Sequence, residues 1–341
     1  MSIIARLFSI SLRLASVLAL FALTNVTVLA IESGSDKNTT TKSLKSPEDF
    51  RQNADREFVA GYYQSARDYY GQYLHRVTTS EPDLIARMAV CDFWLGIQDL
   101  SSKEFEEASK LYGQTLSGYL AQTDSHLAKL AYDQSLASAL ECCKRFPGEW
   151  KSYWRLGFFH NRYCEYQEAI EAYSKAIERF PHSDTRSNAV EFEELCGMPT
   201  LARLYGLRSQ CFYRTGKYPE TLADCTKYIE LEPKSPLGYE ARAQTYVQLQ
   251  KFEIAVPDLK MAVSINSGHP RTFKQLGFCQ LQLGQYQEAL TNLSQAIKLF
   301  PRYAEAYHLR AQALKNLGKD KDAADDERTA KRMGYQSQPA V

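Results

Sequence analysis

Residues Pro270–Pro301 read PRTFKQLGFCQLQLGQYQEALTNLSQAIKLFP, and this stretch decides the fold. Phe273, Leu276 and Gly277 recur at three and four residues, the spacing of one helical stripe. Gly284 stops that helix, Tyr286 opens a second, and Ala289, Leu293 and Ala296 form its facing stripe before Pro301 ends it. The pattern repeats at a spacing of 34 on either side. Tyr205, Tyr239, Phe273 and Tyr307 form one column, and Ser209, Ala243, Gly277 and Ala311 a column of small residues. Thr221, Ala255, Ala289 and Ala323 form a second small column. Tyr228, Ala262, Ala296 and Ala330 form a third that only Tyr228 breaks. A fixed period of this length marks a solenoid, in which each unit buries its apolar face against its neighbours.

One unit shows the physics. In Ala202–Lys234, Tyr205, Arg208, Ser209 and Phe212 lie on one stripe, Gly216 ends the helix, and Tyr218-Pro219 begins the next. Small residues at Ser209 and Thr221 let the two helices approach closely. The last unit departs from its siblings. Glu327 stands where Cys225, Leu259 and Leu293 stand earlier, and Asp320 replaces Tyr218, Phe252 and Tyr286. With Asp322, Asp325, Asp326 and Lys331 around it, the last helix reads as a polar cap on the array, its paired carboxylates Asp325-Asp326 as a solvated face.

Upstream, Trp150–Ser183 carries the pattern in Tyr153, Leu156, Gly157, Tyr166, Ala169, Tyr173, Ala176 and Pro181. These residues, with their counterparts in Pro270–Pro301, resemble the tetratricopeptide repeat family. The resemblance implies an all-α, right-handed superhelical solenoid of antiparallel helix pairs. The expected units are residues 150–183, 202–235, 236–269, 270–303 and a capping unit 304–335, with a tail at 336–341 and an insertion at 184–201. Residues 48–147 read as irregular helical repeats. Phe50–Tyr73 forms one; Asp83–Leu95 and Glu104–Leu116 form another, with Gly96–Lys103 as an enlarged connection; Gln122–Phe146 is helical but not aligned.

Met1–Ala30 contains Arg6 and Arg13, no acidic residue, and an almost wholly apolar run from Ser16 that ends in Val28-Leu29-Ala30. That is the layout of a secretory signal cleaved near Ala30, which implies export to a periplasm, a secretory pathway or the exterior. A retained membrane anchor at Leu14–Ile31 and an organellar presequence are the competing readings. Residues 31–47 are polar and read as a disordered linker containing the sequon Asn38-Thr39-Thr40.

The formal net charge is +1, and −1 without the first 30 residues, which gives no basic stripe for nucleic acid. No pair of the 8 cysteines or 6 histidines is spaced as a zinc site. Cys211, Cys225 and Cys279 fall in packing columns; Cys142 and Cys143 are adjacent and unsuited to bridging each other; Cys196, in the insertion, is the best candidate for a reactive thiol. No phosphate-binding glycine loop or nucleophile elbow occurs, and the repeats leave no stretch of domain size. We expect no catalytic activity and no cofactor.

What remains is surface. In the family the first helix of each unit lines a concave groove that holds a peptide or another protein. Carried over by spacing, the resemblance places Trp154, Arg155, Phe158, Asn161 and Arg162 there, then Arg203, Gln210, Tyr213 and Arg214. Later units add Gln244, Gln248, Arg271, Lys274, Phe278, His308, Gln312 and Lys315. The mix of basic, amide and aromatic side chains suits a peptide backbone and a carboxylate. The Lys/Asn/Arg clamp that some members use for a chaperone's C-terminus is not reproduced, since Phe278 stands beside Lys274. The expected partner is a protein or peptide, with a membrane involved only if the N-terminal segment is retained. A self-assembling scaffold, or an accessory subunit of an envelope complex or enzyme, is the alternative reading.

Overall fold

The computed structural model describes residues 46–77, 81–181 and 199–335. The N-terminal signal with its sequon, the linker up to residue 45, most of the 184–201 insertion with Cys196, and the tail at 336–341 lie outside the described residues. Among the described residues there are sixteen α-helices and no strand. They form eight pairs: α1 (Pro47–Val59) with α2 (Tyr63–Leu74), α3 (Pro82–Trp94) with α4 (Gln98–Tyr112), α5 (Leu116–Ala128) with α6 (Tyr132–Arg145), and α7 (Trp150–Arg162) with α8 (Tyr166–Arg179). The remaining pairs are α9 (Leu201–Arg214) with α10 (Tyr218–Leu231), α11 (Pro236–Gln248) with α12 (Phe252–Ile265), α13 (Pro270–Gln282) with α14 (Tyr286–Leu299), and α15 (Ala304–Asn316) with α16 (Asp320–Arg332). Each helix packs on the next along the chain, α8 on α9 included. The fold is an all-α solenoid of antiparallel helix pairs.

The second and third pairs correct the sequence reading. No enlarged connection spans 96–103, because α4 already begins at Gln98, and the 122–146 region is part of a complete pair. First helices start at residues 82, 116 and 150 and second helices at 98, 132 and 166, so the 34-residue phase runs unbroken through this region. Polar side chains hid it. Thr123 stands in the column of Ala89 and Gly157, Ser101 and Ser135 in that of Ala169, all of them buried. Each is satisfied by a carbonyl: Ser101 Oγ donates to Ala89 at 2.7 Å, and Thr123 Oγ1 to Tyr119 at 2.8 Å. The turn between α5 and α6 also lacks its glycine. Leu130 takes the left-handed conformation (φ 57°) that Gly216, Gly284 and Gly318 adopt in later units.

Apolar residues form several clusters along the array. One runs from Phe50 on α1 to Phe159 on α7, and others sit between α7 and α9, α11 and α13, and α13 and α15. A recurrent ion pair joins the two helices of a unit. Arg208 grips Asp224 through two hydrogen bonds of 2.8 and 2.7 Å and donates to Ser174 on the preceding unit at 3.0 Å. Arg242 does the same with Asp258 and Thr226, and Arg310 with Asp326 and Ser294. Asp326 is therefore buried and bridging rather than part of a solvated face. In the third of these units the column holds Leu276 and Asn292, and Asn292 instead donates to Gln280 at 2.7 Å.

Among the described cysteines, Cys91, Cys143, Cys164, Cys211, Cys225 and Cys279 are free thiols. Burial pushes Cys211 and Cys279 up to about 12 and Cys225 up to about 11, so these three are unreactive packing residues.

Candidate functional site

A cavity of about 350 Å³ opens among α9, α11 and α13. Residues two units apart, Arg203 on α9 and Arg271 on α13, line the same space. The cavity exists because of an exchange of side-chain volume. Tyr228 on α10 stands where later units have alanine, and two glycines make room for its ring. A β-carbon on Gly206 would sit 2.9 Å from the ring, and one on Gly238 2.8 Å from it. Gly206 also removes the side chain that projects as Glu240, Lys274 or His308 from the same position of later units. The result is a recess floored by an aromatic ring.

Four of the expected groove residues meet here: Arg203, Gln210, Gln244 and Arg271. Reading by spacing missed the rest of the wall. Glu240 accepts hydrogen bonds from Thr272 and, at 3.0 Å, from His269. Burial opposes the Glu240 charge, but the hydrogen bonds of His269 and Thr272 outweigh it and hold the carboxyl below its usual range. The same contact to Glu240 raises His269 against the opposing effect of burial. The Arg203 and Arg271 guanidiniums are both exposed, and Arg271 adds its attraction to the Glu240 carboxylate. One signal in the sequence pointed here: Tyr228 as the single break in an alanine column.

The other expected residues divide into two groups. Trp154 and Arg155 are not surface at all. Trp154 packs with Trp150, Tyr173 and Leu204, and Arg155 is fully buried, 2.9 Å from Asp124 on α5 and stacked over the Trp154 ring. Trp154 turns inward into a cluster to which α9 supplies Leu204 and Cys211, and Arg155 turns toward Asp124 of the preceding unit. The rest lie outside the cavity, and several are engaged. Lys274 pairs with Glu305 at 2.9 Å, and His308 stacks on Tyr335 and bonds Glu327 and Gln312. Phe278 packs edge-on against Phe252, Tyr213 against Tyr218, and Arg162 lies over Phe158 and Tyr132. Asn161 is half-buried, and Arg214 is exposed at the end of α9.

A family model described as "TPR repeat" matches residues 280–318, from the end of α13 to the turn after α15. The chain is a tetratricopeptide repeat protein. It is 28% identical over 95 residues to human RNA polymerase II-associated protein 3, a match covering 28% of this chain and 14% of that one. It is 26% identical over 184 residues to Hsp70-Hsp90 organizing protein 3 of Arabidopsis thaliana, covering 53% of this chain and 27% of that one. This repeat protein thus spans well under half the length of the curated relatives it matches. A solved structure with a similar chain path is YrrB, described as a TPR protein with an unusual peptide-binding site. The two share 17% identity and a TM-score of 0.47 over 57% of this chain and 92% of that one.

Proposed function

We propose that this repeat protein is a non-catalytic binding protein whose first helices hold a segment of a protein partner. The observation that carries the reading is the cavity: three successive first helices converge on it, and it is lined by two exposed arginines against a single carboxylate. Amides at Gln210 and Gln244 supply donors and acceptors for a peptide backbone beside them. A photo-crosslinking residue at Gln244 is expected to trap a partner in the native compartment, and one at exposed Lys260 on α12 is not. Trapping at Lys260 alone would remove the first helices from consideration. Substituting Trp154 is no test of this surface, since it opens the core.

A second reading, self-assembly, is favoured by apolar side chains at the turns of the first three pairs. Tyr62 is 60% exposed, Ile97 44% and Leu130 47%. Sedimentation of a single monomeric species across a wide concentration range would reject it.

We also propose that the chain is exported, on the basic-then-apolar layout of residues 1–30. The test is the N-terminus of the mature protein, expected near Ile31; an intact Met1 in a membrane fraction would support the anchored alternative. No helix among the described residues is long and apolar enough to cross a membrane.

A further inference from the structure

The cavity at Gly206 has a layered chemistry. Its floor is the Tyr228 ring, flanked by Leu207, Cys225 and Leu237. Leu237 is 49% exposed, a large apolar group facing solvent beside an open recess. The lining also includes the half-buried Gln244 and the exposed Gln210, Arg203 and Arg271. Arg203, Leu237 and Arg271 occupy one column of three successive units, so the row reads cation, apolar, cation. Glu240, the one carboxylate in the lining, is engaged by His269 and Thr272. A ligand therefore meets apolar side chains beside two guanidiniums, against which the lining sets one carboxylate.

We infer that this cavity is an anchor pocket for a partner segment in which one aromatic or branched apolar side chain is flanked on both sides by carboxylates. The inference deepens the binding reading above and rests on it. At about 350 Å³ the space lies near the lower end of the roughly 300–1,000 Å³ typical of ligand pockets, which suits one large side chain. The apolar side chain packs beside Tyr228, already only 6% exposed, and on Leu237, which it removes from water. The flanking carboxylates each meet a guanidinium that can form two parallel hydrogen bonds. A basic segment is repelled by the same two arginines, and an acidic segment without an apolar residue leaves the floor wet. No later unit repeats this combination, because Glu240, Lys274 and His308 project where Gly206 does not.

The test is fluorescence anisotropy on the full chain with fluorescein-labelled peptides. The first is Gly-Asp-Glu-Phe-Glu-Asp-Gly; a second replaces its acids by Asn and Gln, a third its Phe by Ser, and a fourth its acids by Lys. The first is expected to bind, each of the others roughly tenfold or more weakly, and added salt to weaken the first selectively. The double variant Arg203→Glu/Arg271→Glu alters two exposed side chains and is expected to keep its helical circular dichroism. It should lose roughly tenfold or more for the acidic peptide and gain affinity for the Lys peptide. Tyr228→Ala, which restores the alanine of the later units, should weaken the Phe peptide and leave the Ser peptide unchanged. Failure of the acidic peptide to bind, equal binding of the amide peptide, or unchanged binding by the double variant overturns the anchor pocket. Crosslinks to a partner from Gln312, outside the cavity, would in that case leave the binding reading standing. Absence of crosslinks from every first helix overturns both.

Discussion

Two buried charged groups set the behaviour of this molecule at the scale of the residue. Arg155 and Asp124 are both fully buried, 2.9 Å apart, and join α7 to α5. Breaking such a pair leaves an uncompensated charge in the interior, so Arg155→Met is expected to cost about 3–5 kcal/mol in urea unfolding, followed by Trp154 fluorescence. The double variant Arg155→Met/Asp124→Leu should recover most of that loss, because no charge is then stranded. The second group is Glu104 on α4. Burial first, and the neighbouring Asp92 carboxylate second, push its carboxyl up to about 8 from an ordinary 4.5. One oxygen of each acid, Glu104 Oε2 and Asp92 Oδ2, has no other hydrogen-bond partner, which is what a proton shared between them would leave. The folded chain keeps a proton that the unfolded chain releases, so stability falls as pH rises from about 4.5 to about 8 and is level above that. Glu104→Gln is neutral at every pH. Its urea midpoint is expected to vary less than the wild type's across that window; an unchanged slope would assign the dependence to another group. Neither Arg155 nor Glu104 announces itself in the sequence, where spacing alone assigned Arg155 to the groove. Burial of a charge depends on what it packs against, and Arg155 meets its partner Asp124 on a helix of the preceding unit.

Elements of this array are short, thirteen or fourteen residues in most cases, and hold their shape through packing on their neighbours. Their ends were mostly readable: prolines open α1, α3, α11 and α13, and glycines close many of the first helices. Three turns reach the same left-handed geometry without glycine, at Leu130, Cys164 and Gln250, at a cost of about 1–2 kcal/mol each. Reading the sequence for glycine therefore found some turns and missed the one that divides α5 from α6. One element carries an internal penalty. Pro257 lies inside α12, exposed, where it can donate no hydrogen bond to the Glu253 carbonyl. Pro257→Ala is expected to stabilise the chain by about 3 kcal/mol, seen as a higher thermal midpoint by circular dichroism. No gain would mean that the helix has already adjusted around the ring.

The whole molecule behaves as a chain of junctions. Each apolar cluster is shared between neighbouring pairs, and the arginine–aspartate bridges repeat at Arg208, Arg242 and Arg310. The last pair covers Leu293 and Ile297 of α14 with Ala306 and Leu309 of α15 and turns the polar helix α16 outward. Removing residues 304–341 is expected to expose that surface and drive association, read as a shift to larger species in size-exclusion chromatography with light scattering. A monomeric truncated chain would show that the cap is dispensable. The 34-residue spacing by itself determined the helix pairs from α7 onward, their order and the polar end, because packing small residues against aromatic ones at fixed intervals is a local requirement; polar residues in the same columns hid the second and third pairs. It also placed Arg203, Gln210, Gln244 and Arg271 on one face. Only the tertiary structure decided which surface is a recess. That depends on Tyr228 meeting two glycines, Gly206 on its own unit and Gly238 on the next, a fit of volumes that no periodicity records.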